Sequence, residues 1–293
     1  MWRIKVPRLQ LLVATMNLTD IIGLCDKMHI ASDVLIINQS DSVKYECVFY
    51  HGYKIECYTF AERGLSRSRN NALLRCTGEI LCIADDDMVY TDTYREDIIN
   101  EFQKHLEADA LVFNVTALND ERSGKPIEKY ARVGKRESRE YGSVHIAIRK
   151  RALIGKNVYF NTLFGSGATY SCGEDTLFLK ELIEKGLKLY KTPIRIASVD
   201  MSDSTWFKGY NEKYFRDKGA LIEAAYPRSS YLLAILQSVR NSKKCLGSYK
   251  KAAKLFSYYT SGIADYRKII SGGNATAVSY THLRAHETDQ YLV

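Results

Sequence analysis

Ile80-Leu81-Cys82-Ile83-Ala84 runs directly into Asp85-Asp86-Asp87. An unbroken apolar run has no polar alternate, so a strand built from it is buried on both faces. That demands a sheet with helices on either side and excludes a sheet with one wet face. The three carboxylates then stand where the strand leaves the core. Ionised side by side near apolar surroundings, they repel one another unless a cation offsets them. Mg²⁺ and Mn²⁺ prefer oxygen ligands and commonly take one or two carboxylates together with substrate phosphates. A solvated acidic turn capping the next helix is an equal reading of these residues taken alone.

The surrounding pattern agrees with a covered sheet. Leu9–Thr15, Asp33–Asn38, Lys54–Tyr58 and Ala110–Thr116 read as further strands. Thr19–Met28 (with Thr19 or Asp20 as cap), Ser66–Arg75 and Tyr94–His105 read as helices between them. Such alternation predicts an α/β fold with a mostly parallel central sheet covered by helices. Ligands of such sheets bind outside the carboxyl ends of the strands. Asp120–Tyr141 is polar and charged and reads as a surface excursion, with a strand expected over Tyr141–Arg149. Two short strands, Leu187–Lys191 and Arg195–Val199, are expected to close the core. Beyond Ser204 the pattern turns helical, over Asn211–Ala225, Tyr231–Arg240 and Lys250–Tyr258.

With 293 residues and 46% hydrophobic content, the chain can form one large domain with a substantial appendage. Seven scattered cysteines without a CxxC pair predict reduced, mostly buried thiols in a cytosolic protein. Leu9–Met16 is too short for a signal-peptide core, and no run of 18 apolar residues predicts a membrane-spanning helix. The net charge of +8 is unevenly placed. Residues 1–204 hold 28 Lys/Arg against 28 Asp/Glu, whereas residues 205–270 hold 13 against 4. Charge and pattern together predict three regions: an electrically neutral α/β domain over 1–204, a basic helical extension over 205–270 and a tail over 271–293. Ala277–Val293 lacks periodicity and is similar to translated adapter sequence, so the tail is expected to be disordered or foreign to the natural protein. His282 and His286, spaced i, i+4 within it, are too slight a signal to predict a metal site.

Two further motifs carry chemistry. Glu62-Arg63-Gly64-Leu65-Ser66-Arg67-Ser68-Arg69-Asn70-Asn71 places a turn-permitting glycine before a helix whose start bears arginines. A helix N-terminus beside guanidinium groups suits a phosphate or a nucleobase edge, and a solvated basic helix is the plain alternative. Gly173-Glu174-Asp175-Thr176 follows the Gly-rich Phe164–Gly173 and opens a helix. Its acids serve either as simple dipole-stabilised capping residues or as a general base for an acceptor hydroxyl.

Taken together, the first strand (LLVATMN), the second strand end (IINQSD), GLSRSRN, ADDD and the Gly-Glu-Asp helix start resemble glycosyltransferase family 2 over about residues 9–200. The resemblance implies the Rossmann-like type-A nucleotide-sugar transferase (GT-A) fold, followed by the C-terminal helical extension, in a protein similar to bacterial builders of surface polysaccharide. It implies that Thr15, Asn38 and Arg69 line the nucleotide pocket. It implies that Asp85 and Asp86 contact the nucleotide sugar, and that Asp85, Asp86 and Asp87 hold Mn²⁺ or Mg²⁺. Asp175, with Glu174 beside it, would be the catalytic base of an inverting displacement. The implied donor is a nucleotide-diphosphate sugar, foremost a UDP-sugar, and the implied acceptor a glycan or polyprenyl-linked saccharide. Two departures stand out: the second strand ends in Asn38 where the family usually has Asp, and the triple Asp leaves the ligating carboxylate ambiguous. The Gln-x-x-Arg-Trp motif of processive relatives is absent, which predicts addition of a single sugar.

Trp206, Phe207, Tyr210 and Tyr214 offer either an apolar face for an acceptor sugar or plain packing. A nucleotidyltransferase of similar fold is an alternative, although Ala14-Thr15-Met16-Asn17 lacks its Gly-rich basic loop. A glycan-binding or scaffold protein with a degenerate site is another, opposed by the intact carboxylates. A dinucleotide dehydrogenase is excluded for want of GxGxxG, and no motif predicts nucleic acid as a partner. Lys243, Lys244, Lys250, Lys251 and Lys254 beside Leu246, Leu255, Phe256 and Tyr258 predict docking on an anionic membrane surface, with a solvated helical surface as the plain alternative. The expected location is cytoplasmic, peripheral on the inner face of the cell membrane.

Overall fold

The apolar runs form strands buried on both sides, in a computed structural model that describes residues 6–117, 125–199 and 209–272. In chain order the strands are β1 (Leu9–Met16), β2 (Asp33–Gln39), β3 (Lys44–Tyr50), β4 (Tyr53–Phe60) and β5 (Ile80–Asp85). They continue with β6 (Met88–Tyr90), β7 (Ala110–Ala117), β8 (Ala131–Arg132), β9 (Ile146–Arg149) and β10 (Leu189–Val199). The helices are α1 (Ile21–Met28), α2 (Leu65–Arg75), α3 (Tyr94–Lys104), α4 (Lys150–Leu153) and α5 (Glu174–Glu184). After these come α6 (Glu212–Ala225), α7 (Ser230–Leu246) and α8 (Ala252–Ser271). The chain divides into two compact units, Met1–Phe160 with Phe178–Asp203, and Asn161–Leu177 with Ser204–Val293. Trp206, Phe207 and the tail from residue 273 onward lie outside the described residues, as do residues 118–124, which include the start of the charged excursion.

In the first unit the strands form one sheet in the order β3-β4-β2-β1-β5-β9-β7-β10-β6, with β8 paired to β10. β4, β2, β1 and β5 are mutually parallel, as are β7 and β10. β9 joins these two parallel blocks and is antiparallel to both. Alternate residues serve opposite faces. Leu12, Leu35, Ile37 and Leu81 pack with Ala72 and Cys76 from the α2 segment. Leu11, Val13, Val34, Ile36 and Cys82 pack instead with Leu24, Cys25 and Met28 of α1 and Ile98, Ile99 and Phe102 of α3. Ile83, Val112, Ile146 and Ile148 meet Phe178, Leu179 and Leu182 of α5. Helices thus cover both faces, as the continuous apolar runs require.

Two departures from the sequence pattern have local causes. The β3–β4 hairpin adds an edge strand, β3, where the sequence pattern predicts no element. His51 and Gly52 at its turn both have positive φ, 49° and 85°, the conformation whose twist matches that of the flanking strands. The two strands expected over Leu187–Lys191 and Arg195–Val199 are one irregular strand, β10, which begins at Leu189 and whose register shifts after Lys191. Pro193 lies in that irregular stretch and has no N–H to donate to the ladder.

The second unit is built on α6, α7 and α8. Phe215, Ala234, Leu255, Tyr259 and Ile263 form its apolar centre. α6 and α8 cross with their backbones in contact: a Cβ at Gly219 would lie 2.1 Å from Tyr259 O, and one at Gly262 1.9 Å from Arg216 O. Phe164 and Tyr170 of the Gly-rich loop pack with Ala220 and Tyr266. Ser171 N and Lys213 Nζ both donate to Asp217, which ties that loop to α6. Among the described residues, no helix is long and apolar enough to cross a membrane.

Candidate active site

The carboxyl ends of three adjacent parallel strands bring the first group of residues together. Thr15 pairs with Asn38 across β1 and β2, and Ala14 pairs with Asp85 across β1 and β5. Thr15, Asn38 and Asp85 therefore end neighbouring strands at one edge of the sheet, the place where open α/β sheets bind ligands.

The three acids are not equivalent. Arg69 Nη2 donates to both oxygens of Asp85, at 2.9 and 3.1 Å. Arg69 is 4% exposed, and its guanidinium lies 5.3 Å from the centre of the Phe160 ring. Asp86 accepts from Thr15 Oγ1, while Lys27 Nζ donates to its backbone carbonyl at 3.1 Å. Asp87 has no such partner for Oδ1, which is buried and makes no hydrogen bond. Burial, reinforced by the charges of Asp85 and Asp86, pushes the Asp87 carboxyl up to about 6.

This difference is the fit test for a metal. Among the described residues, no group of three His, Cys, Asp or Glu side chains is arranged as an all-protein cage. An orphaned carboxylate oxygen with acidic neighbours nevertheless fits a hard cation held by one or two carboxylates and completed by substrate phosphates. The donor chemistry therefore suits Mg²⁺ or Mn²⁺.

Asn38 is 3% exposed, and its amide is engaged within the protein. Its Oδ1 accepts from Leu18 N at 2.9 Å, and its Nδ2 donates to Leu18 O and to Thr59 Oγ1. It latches the backbone that leaves β1. Gln39 does the same for the start of α2: its Oε1 accepts from Gly64 N at 2.6 Å. Gly64 has φ +124°, a conformation that side chains rarely adopt.

Asn70 and Phe160 carry no signal of their own in a single sequence. Asn70 is fully buried and bonds Phe160 in both directions, Nδ2 to Phe160 O at 2.8 Å and Phe160 N to Oδ1 at 2.7 Å. That pair fixes the ring against which Arg69 lies. The available hint was that α2 buries Ser66, Ser68, Arg69 and Asn70, a polar set unsuited to an ordinary core face.

Glu174 and Asp175 belong to the second unit. They occupy the first turn of α5, whose first backbone bond runs from Leu177 N to Gly173 O. Gly173 has φ +116°, and a Cβ there would meet Leu221 Cδ1 at 2.8 Å, so glycine is required at this entry to the helix. Glu174 is 9% exposed and Asp175 is half-buried. Tyr210, 45% exposed, meets Tyr214 edge-on, and Tyr214 packs on the centre formed by Phe215 and Tyr259.

Comparison with known proteins identifies the family and the fold. The family model described as Glycosyl transferase family 2 matches residues 34–187, more than half of the chain. Among solved structures, S. aureus TarS 1-349 aligns with a TM-score of 0.55 at 15% identity, covering 89% of this chain and 91% of that one. S. aureus TarS 1-349 in complex with UDP-GlcNAc aligns with a TM-score of 0.57 at 14% identity, over 89% and 92%. Against a longer S. aureus TarS chain, 88% of this chain covers 55% of that one, with a TM-score of 0.57 at 14% identity. These likenesses establish a shared fold. No curated protein sequence matches the chain.

Proposed function

Because this chain belongs to glycosyl transferase family 2, we propose that it moves a single sugar from a UDP-sugar to a glycan or polyprenyl-linked saccharide, with inversion at the anomeric carbon. The observation that carries this reading is the inequality of the three carboxylates at the end of β5. Asp85 is held by Arg69 and Asp86 by Thr15, which leaves Asp87 Oδ1 as the unsatisfied oxygen. Asp87 is then the principal metal ligand, with Asp85 and Asp86 shaping the field around it and meeting the nucleotide sugar. A Mn²⁺ or Mg²⁺ bound at this place would supply positive charge to offset the negative charge gathering on the departing diphosphate. A UDP donor is supported by the UDP-GlcNAc complex of the similar TarS fold.

The chain's own groups do the rest. Arg69 keeps Asp85 oriented. Thr15 keeps Asp86 oriented, and Asn38 shapes the pocket by fixing the backbone at Leu18. Asp175 takes the proton of the acceptor hydroxyl as that oxygen attacks opposite the leaving diphosphate, and Glu174 supports it from the same helical turn. Family membership selects sugar transfer over nucleotidyl transfer.

A donor panel read by nucleoside diphosphate release tests this reading. UDP-sugars with Mn²⁺ or Mg²⁺ should give turnover. Asp175→Asn should preserve donor binding and lower turnover by about 10²-fold or more. Unchanged turnover in Asp175→Asn with a saccharide acceptor would remove it as the base, and release from no nucleotide sugar would remove the proposal itself.

A further inference from the structure

α7 is built with its polar and apolar faces exchanged. The residues it buries are small or polar: Ser230, Ala234, Ser238 and Ser242. The aliphatic residues face outward: Leu232 is 60% exposed, Ile235 49%, Leu236 57% and Val239 49%. Their spacing of three, one and three puts them on one continuous stripe of the helix. An ordinary surface helix turns such a stripe to the core and its serines to water. The buried serines are not placed there by accident of register. Ser238 Oγ and Ser242 Oγ bond back to the carbonyls of Ala234 and Val239, so both hydroxyls are satisfied without outside partners.

The charge carried by this stretch of chain is of one sign. From Ala224 to Ala264 the sequence has seven Lys or Arg and no Asp or Glu. Arg240, Lys243, Lys244, Lys250, Lys251 and Lys254 are all exposed. Tyr231 at one end of α7 and Tyr249 just beyond the other are 45% and 58% exposed. Rings of this kind, apolar in body and polar at the tip, favour the boundary between lipid and water.

We propose that the outer stripe of α7, Leu232, Ile235, Leu236 and Val239, lies in the headgroup boundary of an anionic bilayer, with the surrounding lysines and arginines on lipid phosphates. The combination is that of an interfacial helix: an aliphatic face, a basic surround and too little apolar length to span. A second copy of the chain fits the same face less well. Pairing one α7 stripe with another would bring Arg240 and Lys243 of both copies together with no acid from this segment to offset them. This inference is independent of the sugar-transfer reading, because it rests on none of the proposed donor or acceptor residues.

Co-sedimentation of the full chain with vesicles tests it. Vesicles of phosphatidylcholine with phosphatidylglycerol should bind the protein, and pure phosphatidylcholine should not. Binding should fall about fivefold for each lysine changed to glutamine, and should weaken with salt. Changing Leu232, Ile235, Leu236 and Val239 together to glutamine should reduce binding at least tenfold while the circular dichroism spectrum and melting temperature stay those of the wild type, which shows that the protein is still folded. A single Val239→Trp substitution should give a blue-shifted emission on anionic vesicles only. Equal binding to both vesicle types, or no binding at low salt, overturns the proposal. So does self-association of the wild-type chain that the glutamine variant abolishes, because the stripe would then be a contact between copies.

Discussion

The central residues are three acids that look alike in sequence and differ in the folded protein. Asp86 is held by a hydroxyl 71 residues away in sequence and Asp85 by a guanidinium 16 away. Asp87 is left with an unsatisfied buried oxygen. The sequence shows the cluster and its place at a strand end, but not this division, because the partners reach it only through tertiary contacts. Removing the Asp87 charge should therefore separate function from stability. Asp87→Asn should abolish metal-dependent turnover yet raise the melting temperature of metal-free protein at neutral pH, since it relieves repulsion from Asp85 and Asp86; calorimetry in chelator checks this. Arg69→Met should do the opposite. Deleting the guanidinium from this largely buried pair should cost about 2–3 kcal/mol, below the range for fully buried pairs because Asp85 is partly exposed. Denaturant unfolding measures that loss, and recovery of full stability in Arg69→Met would show that the ion pair contributes nothing net.

At the scale of elements, the parallel strands were legible because burial on both faces forces uninterrupted apolar runs. The edge strand β3 was not. Lys44–Tyr50 is only partly buried, and its pairing depends on a two-residue turn at His51-Gly52 that contains no Asn-Gly or Asp-Gly signal. β10 was read as two pieces because Pro193 interrupts the pattern without ending the strand. α8 continues to Ser271, well past Tyr258, since its buried Tyr259, Gly262 and Ile263 mix aromatic, absent and aliphatic side chains and blur the apolar period. The glycines of that crossing make a sharp prediction. Gly262→Val places side-chain carbon where the carbonyl of Arg216 stands, so α6 and α8 must separate. The loss should be at least about 3 kcal/mol, at the upper end for overpacking, and limited proteolysis should cut first within 209–272. Gly134→Ala, which adds its Cβ to open space, serves as the control and should leave the digestion pattern unchanged.

At the scale of the whole molecule, the fold and the family were readable from the order of the motifs: strand end, basic helix start, acidic strand end, Gly-Glu-Asp helix start. The division into units was only partly so. The Gly-rich loop and the first turn of α5, with Glu174 and Asp175, group with the C-terminal helices rather than with the sheet. Its attachment runs through Asp217 and the aromatic residues Phe164, Tyr170 and Tyr266, which no local pattern links. The outward stripe of α7 was likewise hidden, since a helical period reports that one face is apolar and not which way that face points. The proposed function rests on charge: the donor diphosphate would be met at the β5 carboxylates by a cation that Asp87 would hold. The most direct test is nucleoside diphosphate release from the preferred nucleotide sugar by wild type and Asp87→Ala, each with saturating Mn²⁺ and with excess chelator. The account predicts turnover only for wild type with metal, and a loss of at least about 10²-fold in the other three conditions. Comparable rates with chelator, or in Asp87→Ala, would contradict it.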